Sequence, residues 1–312
     1  MTVNQGAIRS VYLITSYFGI EERSNAIYGV KFKHGGGVTH EPPVIGLVDR
    51  FCEDYVKMFI FSSSGLNKST PIVVSAYDKL YCLGIPSSRK PIPYLSFERY
   101  DPDMNVWEEM PSYPFSNYNK IITGYAVCYG VILFSFYGPR EKNFDVLAFH
   151  ISRNQWRQVE VDTSDDYAPF QGRAVVVDKT IYSIQGNEFI AFSFRMDKGD
   201  DGSIGYSLSQ LFILQDLEIV RPPLPFEMKS EYLVHLGNHD FFHVKTGHCF
   251  DTAQYLCITT FQIVVGEGER DMIKTINSTV HSVDVECIEY FDLVFCFMSD
   301  CGDYEPIEDK SV

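Results

Sequence analysis

Four side chains able to hold a metal ion or move a proton recur at one spacing: Glu231-x3-His235-x3-His239-x3-His243. Asp240, His248, Cys249 and Asp251 stand close by. Imidazole and carboxylate together suit zinc or ferrous iron. On a helix, steps of four would align these groups. Here the segment 232–247, YLVHLGNHDFFHVKTG, reads as a hairpin turning at Gly237-Asn-His-Asp240. His235 then falls on one strand, His239 in the turn and His243 on the other strand, so strand parity is expected to scatter them. His243 also falls where sister segments carry Tyr81, Phe134 and Tyr182, which makes it a core filler. No metal ligand, cofactor-binding residue or catalytic residue is assigned from this cluster.

Other motifs carry less. His34-Gly-Gly-Gly37 has the composition of an esterase oxyanion loop, but that chemistry needs a Gly-x-Ser-x-Gly elbow. The nearest match, Gly205-Tyr-Ser-Leu-Ser209, lacks the last glycine. Gly266-Glu-Gly268 has no third glycine and no βαβ setting, so it is no dinucleotide fingerprint. Asp197 to Ser203 is acidic without calcium-loop spacing and reads as a solvated loop.

The elements that must position these groups are strands. Hydrophobic residues make up 45% of the 312-residue chain and aromatics 15%, with 24 Phe and 20 Tyr, a composition that favours half-buried sheet. Lys and Arg total 26 against 41 acidic residues, a formal charge of −15, which repels a phosphate backbone and speaks against nucleic acid. No 18-residue apolar run exists, so no membrane span is expected. The first residues lack a basic region followed by an apolar run, so no secretory signal is expected. The eight cysteines form no Cys-x-x-Cys pair and read as reduced, buried thiols of a cytoplasmic or nuclear protein. The sequons at Asn67 and Asn277 should then be unmodified.

Two markers share a period of about 50 residues. The first is a phrase closed by glycine: Phe134-Ser-Phe-Tyr-Gly138, Tyr182-Ser-Ile-Gln-Gly186, His243-Val-Lys-Thr-Gly247, and Tyr81-Cys-Leu-Gly84-Ile85 with its glycine one place earlier. The second is an aromatic seven residues before tryptophan: Tyr100 before Trp107, and Phe149 before Trp156. Each tryptophan should open a fourth strand and anchor packing. Hairpins are expected over 71–84, 121–138, 173–186 and 232–247. The third unit lacks its tryptophan. Its Phe192-Ser-Phe194 strand meets the polar Asp197–Ser203 loop, which interrupts it, and its fourth strand is expected over Leu211 to Val220. At the ends, Val11–Thr15 and Ala26–Phe32 resemble second and third strands, Asp54–Phe61 adds another, and Asp292–Met298 looks like a sixth inner strand.

These phrases resemble the kelch-repeat family, especially degenerate plant kelch proteins of the galactose-oxidase-like kind. The usual paired glycines are reduced here to one. The resemblance implies an all-β fold: a kelch-type β-propeller, residues 1–312 as one domain, with six four-stranded blades expected and five or seven open. Five would follow if the two termini shared a blade. It further implies a non-catalytic protein-interaction scaffold, a client-binding adaptor without its own F-box, acting as a monomeric propeller on an unidentified protein partner. The alternatives are a metal-dependent or acid–base enzyme, or a small-ligand binder in the propeller mouth. Specifier-type kelch proteins use Glu-x3-Asp-x3-His for iron, and Glu231/His235/His239 matches only the spacing. The copper ligands of galactose oxidase do not map onto the chain.

Overall fold

The computed structural model describes residues 10–19, 23–31, 44–52, 68–86, 96–101, 104, 106–111, 120–138, 142–163, 167–199, 204–215, 217–222, 226–249, 254–266, 271–283 and 288–299. Among them, the one helical element is a single 3-10 turn, Ile151–Arg153. No helix among them is long and apolar enough to cross a membrane. The all-β expectation therefore holds, and 21 strands carry it.

Twenty of the described strands form five four-stranded antiparallel meanders, called sheets one to five below. The first joins β1 (Ser10–Gly19), β2 (Arg23–Lys31) and β3 (Val44–Cys52) to the last strand, β21 (Ile288–Ser299), in the order β21-β1-β2-β3. The second is β4 (Lys68–Ala76), β5 (Lys79–Pro86), β6 (Ser96–Asp101) and β7 (Val106–Glu109). The third is β8 (Ile121–Cys128), β9 (Val131–Gly138), β10 (Asn143–His150) and β11 (Gln155–Asp162). The fourth is β13 (Val175–Val177), β14 (Thr180–Gln185), β15 (Glu188–Lys198) and β16 (Ile204–Leu214). The fifth is β17 (Phe226–Gly237), β18 (Asp240–Cys249), β19 (Gln254–Val265) and β20 (Asp271–Val283). The two-residue β12 (Gly172–Arg173) pairs in parallel with β8, and β11 pairs in parallel with β16 at Glu160–Asp162, so the third and fourth groups of strands are continuous in one larger sheet. The sixth inner phrase, Asp292–Met298, is thus no separate unit: it lies in β21 and pairs with β1, so both ends of the chain share a sheet. The expected strand Asp54–Phe61 lies outside the described residues.

The chain divides into two compact units. Residues 54–216 hold the second, third and fourth sheets. Sheets two and three close on Tyr81, Leu83, Phe97, Phe134, Phe136 and Phe149. The opposite face of sheet three meets sheet four through Leu133, Val146, Ile181, Ile190, Phe192 and Leu208. Residues 1–53 and 217–312 hold the fifth and first sheets. Their shared core contains Val11, Leu13, Val30, Leu293 and Cys296 from one side and Tyr232, Val234, Phe242, Val244 and Ile258 from the other.

Tight turns set the register. Tyr77-Asp78, Tyr129-Gly130 and Asp178-Lys179 each have both φ values positive, the geometry that matches strand twist in a two-residue hairpin. Counted from these turns and from Asn238-His239, the fourth residue is Cys82, Phe134, Ser183 or His243. The third is Tyr81, Leu133, Tyr182 or Phe242. The glycine phrase therefore misaligns its own copies: Tyr81 and Tyr182 stand one residue out of step with Phe134 and His243. A one-residue slip reverses the face a side chain occupies. Tyr81 and Phe134 accordingly meet in one core from facing sheets. The glycines differ as well. Gly186 sits in a turn with φ 62°, whereas Gly247 lies inside β18 opposite Met228 and Tyr255.

The tryptophan marker is in register. Tyr100 pairs with Trp107 and Phe149 with Trp156, and both tryptophans are the second residue of a fourth strand. The ring centroids lie 5.4 and 5.1 Å apart. In the fourth sheet the corresponding partner of Phe192 is Gln210, and in the fifth Phe261 pairs with Thr275. This row has a common task. Trp156 Nε1 donates to Pro111 O at 2.8 Å, Gln210 Oε1 accepts from the Tyr167 hydroxyl at 2.9 Å, and Thr275 Oγ1 accepts from Glu218 N at 3.0 Å. The fourth strands of the third, fourth and fifth sheets thus grip the segments that lead into them, whereas Trp107 of the second has its Nε1 buried without a hydrogen-bond partner.

Two expectations about the fourth sheet are corrected. Its last strand is Ile204–Leu214 rather than Leu211 to Val220. The acidic segment does not interrupt the sheet, because β15 runs on to Lys198 and pairs there with Ile204. Long hairpin arms hold polar side chains on strands wherever the backbone bonds continue. Cys82, Cys128, Cys257 and Cys296 are buried and not disulfide-bonded.

Candidate functional site

The Asn238-His239 turn decides which of the candidate groups meet. It sets Leu233 opposite His243 and Glu231 opposite Lys245, so all four share one face of the fifth sheet. Glu231 and His243 are then diagonal neighbours. His243 Nε2 lies 2.9 Å from Glu231 Oε1, with side chains 1% and 4% exposed. This is a buried acid–base pair, the strongest chemical feature among the described residues.

Burial pushes the His243 pKa below its ordinary value. The Glu231 carboxylate opposes that shift through charge and hydrogen bond, and Lys245 adds to it. The imidazole is therefore held neutral. With Nε2–H directed at the carboxylate, the lone pair falls on Nδ1, the tautomer assigned from this bond. Glu231 Oε2 is buried and has no hydrogen-bond partner. Buried polar atoms in native proteins are rarely left so, and such an atom calls for an explanation. Across the sheet His243 pairs with Thr259, and Thr259 with Ser278. Thr259 Oγ1 and Ser278 Oγ are 2.9 Å apart, and Ser278 Oγ also accepts from Val220 N at 2.9 Å. A polar line thus crosses β18, β19 and β20 where the third sheet has Phe134 and Leu147.

The other histidines stay apart, though not for the reason expected. Strand parity does not scatter them, because Glu231, His235 and His243 lie on one face. Glu231 and His235 are four residues apart along β17, about 13 Å, and His235, diagonal to His243 like Glu231, is engaged at the turn instead. His235 tilts against Phe241 with centroids 5.3 Å apart, and its Nε2 lies 2.7 Å from Asn238 O. His239 stands exposed in the turn. Asp240 accepts from Gln262 Nε2 at 2.7 Å. Among the described residues, no three His, Cys, Asp or Glu side chains gather to hold one ion. Asp251 and His34–Gly37 lie outside the described residues. Gly205–Ser209 runs straight within β16, with Tyr206 and Leu208 buried, so it forms no nucleophile elbow. Burial pushes the Cys128 thiol up to about 12 and the Cys257 thiol up to about 11, which keeps both unreactive.

The Glu231–His243 contact was within reach of sequence reasoning. A two-residue turn at 238–239 fixes their diagonal pairing once the turn is trusted over the steps of four. Thr259 and Ser278 had no such signal, since a longer connection and a bulge separate them from the turn.

No family pattern and no curated protein sequence matches this chain. Several solved structures are similar in fold. An α-L-arabinanase of Cellvibrio cellulosa, complexed with arabinohexaose, is 13% identical with a TM-score of 0.39, over 88% of this chain and 94% of that one. The same enzyme in a second structure is 11% identical with a TM-score of 0.36, over 88% and 93%. An exo-1,5-α-L-arabinanase from a bovine ruminal metagenomic library is 9% identical with a TM-score of 0.38, over 88% and 99%. These three structures are arabinanases, and the kelch assignment gains nothing from them. They also run against the expectation of a non-catalytic scaffold that is no enzyme, because all three are enzymes, and that expectation is withdrawn. At such TM-scores the likeness assigns neither a reaction nor a residue to this chain.

Proposed function

We propose that this chain is an enzyme on a five-bladed β-propeller, with Glu231 and His243 as its acid–base pair. Five four-stranded meanders support the blade count, and so does the sheet shared by both termini.

The observation that carries the catalytic reading is the 2.9 Å Glu231–His243 contact at almost complete burial. A neutral, desolvated imidazole is the form that accepts a proton. The carboxylate fixes its tautomer and stabilises the imidazolium that forms. His243 Nδ1 takes the proton from the attacking group, and the same atom returns it to the leaving group. A two-carboxylate glycosidase mechanism does not fit Glu231 and Asp240, the buried acids among the described residues of this sheet. Asp240 pairs at the turn with Gly237 and Glu231 with Lys245, five residues away along β18. That is about 17 Å, against the roughly 5–9.5 Å that such pairs need.

The test is turnover on a panel of hydrolysable esters, amides and oligosaccharides, with arabinohexaose included, for the protein and for His243→Gln and Glu231→Gln. Losses of about 10²–10⁴-fold with an unchanged melting temperature are expected. The pH limb set by His243 should move in Glu231→Gln. Full activity in both variants, or loss only where the protein unfolds, would overturn the assignment.

A further inference from the structure

The tight turns that join first to second strands carry two residues that do not suit their backbone. Tyr77 and Tyr129 occupy the first turn position with φ of 50° and 47°. The fourth sheet uses Asp178 there and the fifth Asn238, short side chains that favour the left-handed region. A bulky residue with positive φ is an outlier, and such strain clusters at functional positions. Both rings are also exposed, Tyr77 at 53% and Tyr129 at 41%.

Neither ring is loose. The Tyr77 phenol oxygen accepts from Gly130 N at 2.6 Å, which ties the second-sheet turn to the third-sheet turn. Tyr129 stacks on Phe194 at 6.2 Å and 20°, and Phe194 stacks on Tyr206 at 5.8 Å and 9°. One ring is fixed by its hydroxyl and the other through its face. The Ile151–Arg153 turn joins the same edge, since Ile151 N donates to Gly130 O at 3.0 Å. Exposed Ser152 and Arg153 follow directly on that bond, one and two residues along the chain.

We infer that Tyr77 and Tyr129 form an aromatic platform for a carbohydrate chain on this edge of the second and third sheets. Fixed tyrosine faces offer apolar area at little entropic cost. The apolar C–H face of a sugar ring fits such a surface, and its hydroxyls find partners in Ser152, Arg153 and Asp78. Two rings in sequence along the edge suit an oligosaccharide better than a single sugar. A peptide anchor would need an apolar pocket, whereas these rings stand among polar, exposed residues.

Titration calorimetry with arabinohexaose, xylohexaose and cellohexaose tests this. At least one should bind, and Tyr77→Ala and Tyr129→Ala should each weaken it about tenfold, or about 1.4 kcal/mol. Tyr77→Phe keeps the ring and drops the hydroxyl, so it should bind within about threefold, well under that energy. Asp178→Ala, at the same turn position of the fourth sheet, should bind normally. Melting temperatures separate loss of the platform from loss of fold. Failure of all three sugars to bind, or tight binding by a folded Tyr77→Ala/Tyr129→Ala double variant, would overturn the inference. It stands apart from the Glu231–His243 reading, because binding here requires no turnover.

Discussion

The third and fifth sheets solve one packing position in opposite ways. Four residues after the first tight turn, the third sheet places Phe134 and the fifth places His243, both buried. Around Phe134 the neighbours are aromatic: Trp156 at 5.7 Å, Phe97 at 5.9 Å and Phe136 at 6.5 Å. Around His243, Leu233 stands directly across on one side, but the diagonal Glu231 and the Thr259 on the other side are polar. Non-directional packing tolerates small shifts, whereas a buried ion-forming pair must meet its geometry or cost stability. The strand frame therefore accepts either solution at this row, an aromatic cluster between the second and third sheets or a buried polar pair in the fifth.

The largest effect should come from the aromatic side. Trp156→Ala removes contacts with Phe97, Phe134 and Phe149 and the bond to Pro111 O. A loss of about 3–5 kcal/mol is expected, read as a shifted denaturant midpoint. An unchanged midpoint would show that the fourth-strand row does not hold its connector.

Gly124 tests how close the strands approach. A Cβ there would lie 2.3 Å from Gly172 O and 2.8 Å from Gly172 N, both backbone atoms that cannot swing aside. Gly124→Ala should destabilise by about 1–3 kcal/mol or more. Normal stability would mean that β8 and β12 sit farther apart.

On the polar side, His243→Phe imitates the third sheet but leaves Glu231 buried and unpartnered. A loss of about 1–3 kcal/mol is expected. Adding Glu231→Leu should recover most of it, because replacing both members of a buried pair is often neutral or better. A double variant as unstable as the single one would show that the row needs its polar pair for stability.

The smallest effect is a pH dependence. The folded pKa of His243 is lowered, chiefly by burial. Below about pH 6.5 the unfolded chain takes up a proton that the folded chain refuses. Stability is then complete above that pH and falls as pH drops, by at most about 1.4 kcal/mol per unit, until the lowered folded pKa is reached. His281 is lowered by burial as well and contributes in the same direction. The His243 share is the difference between the protein and His243→Phe across this range.

The sequence by itself determined strand content, turns and one of two repeat markers. Tyr100–Trp107 and Phe149–Trp156 were legible because cross-strand pairs of a short hairpin stand at fixed spacing. The hairpins at 77–78, 129–130 and 178–179 were legible because turn chemistry is local. The glycine phrase misled because glycine serves a turn at Gly186 and a strand interior at Gly247, two unrelated uses. Only the tertiary structure decided which face each residue takes, since one residue of slip reverses it and composition does not record the slip. It also decided that β21 joins β1, a pairing of the two ends that no local pattern encodes. The union of Glu231 with His243, and of Tyr77 with Gly130, belongs to the same class. Both depend on register and on the stacking of sheets, which form only when the whole sheet is in place.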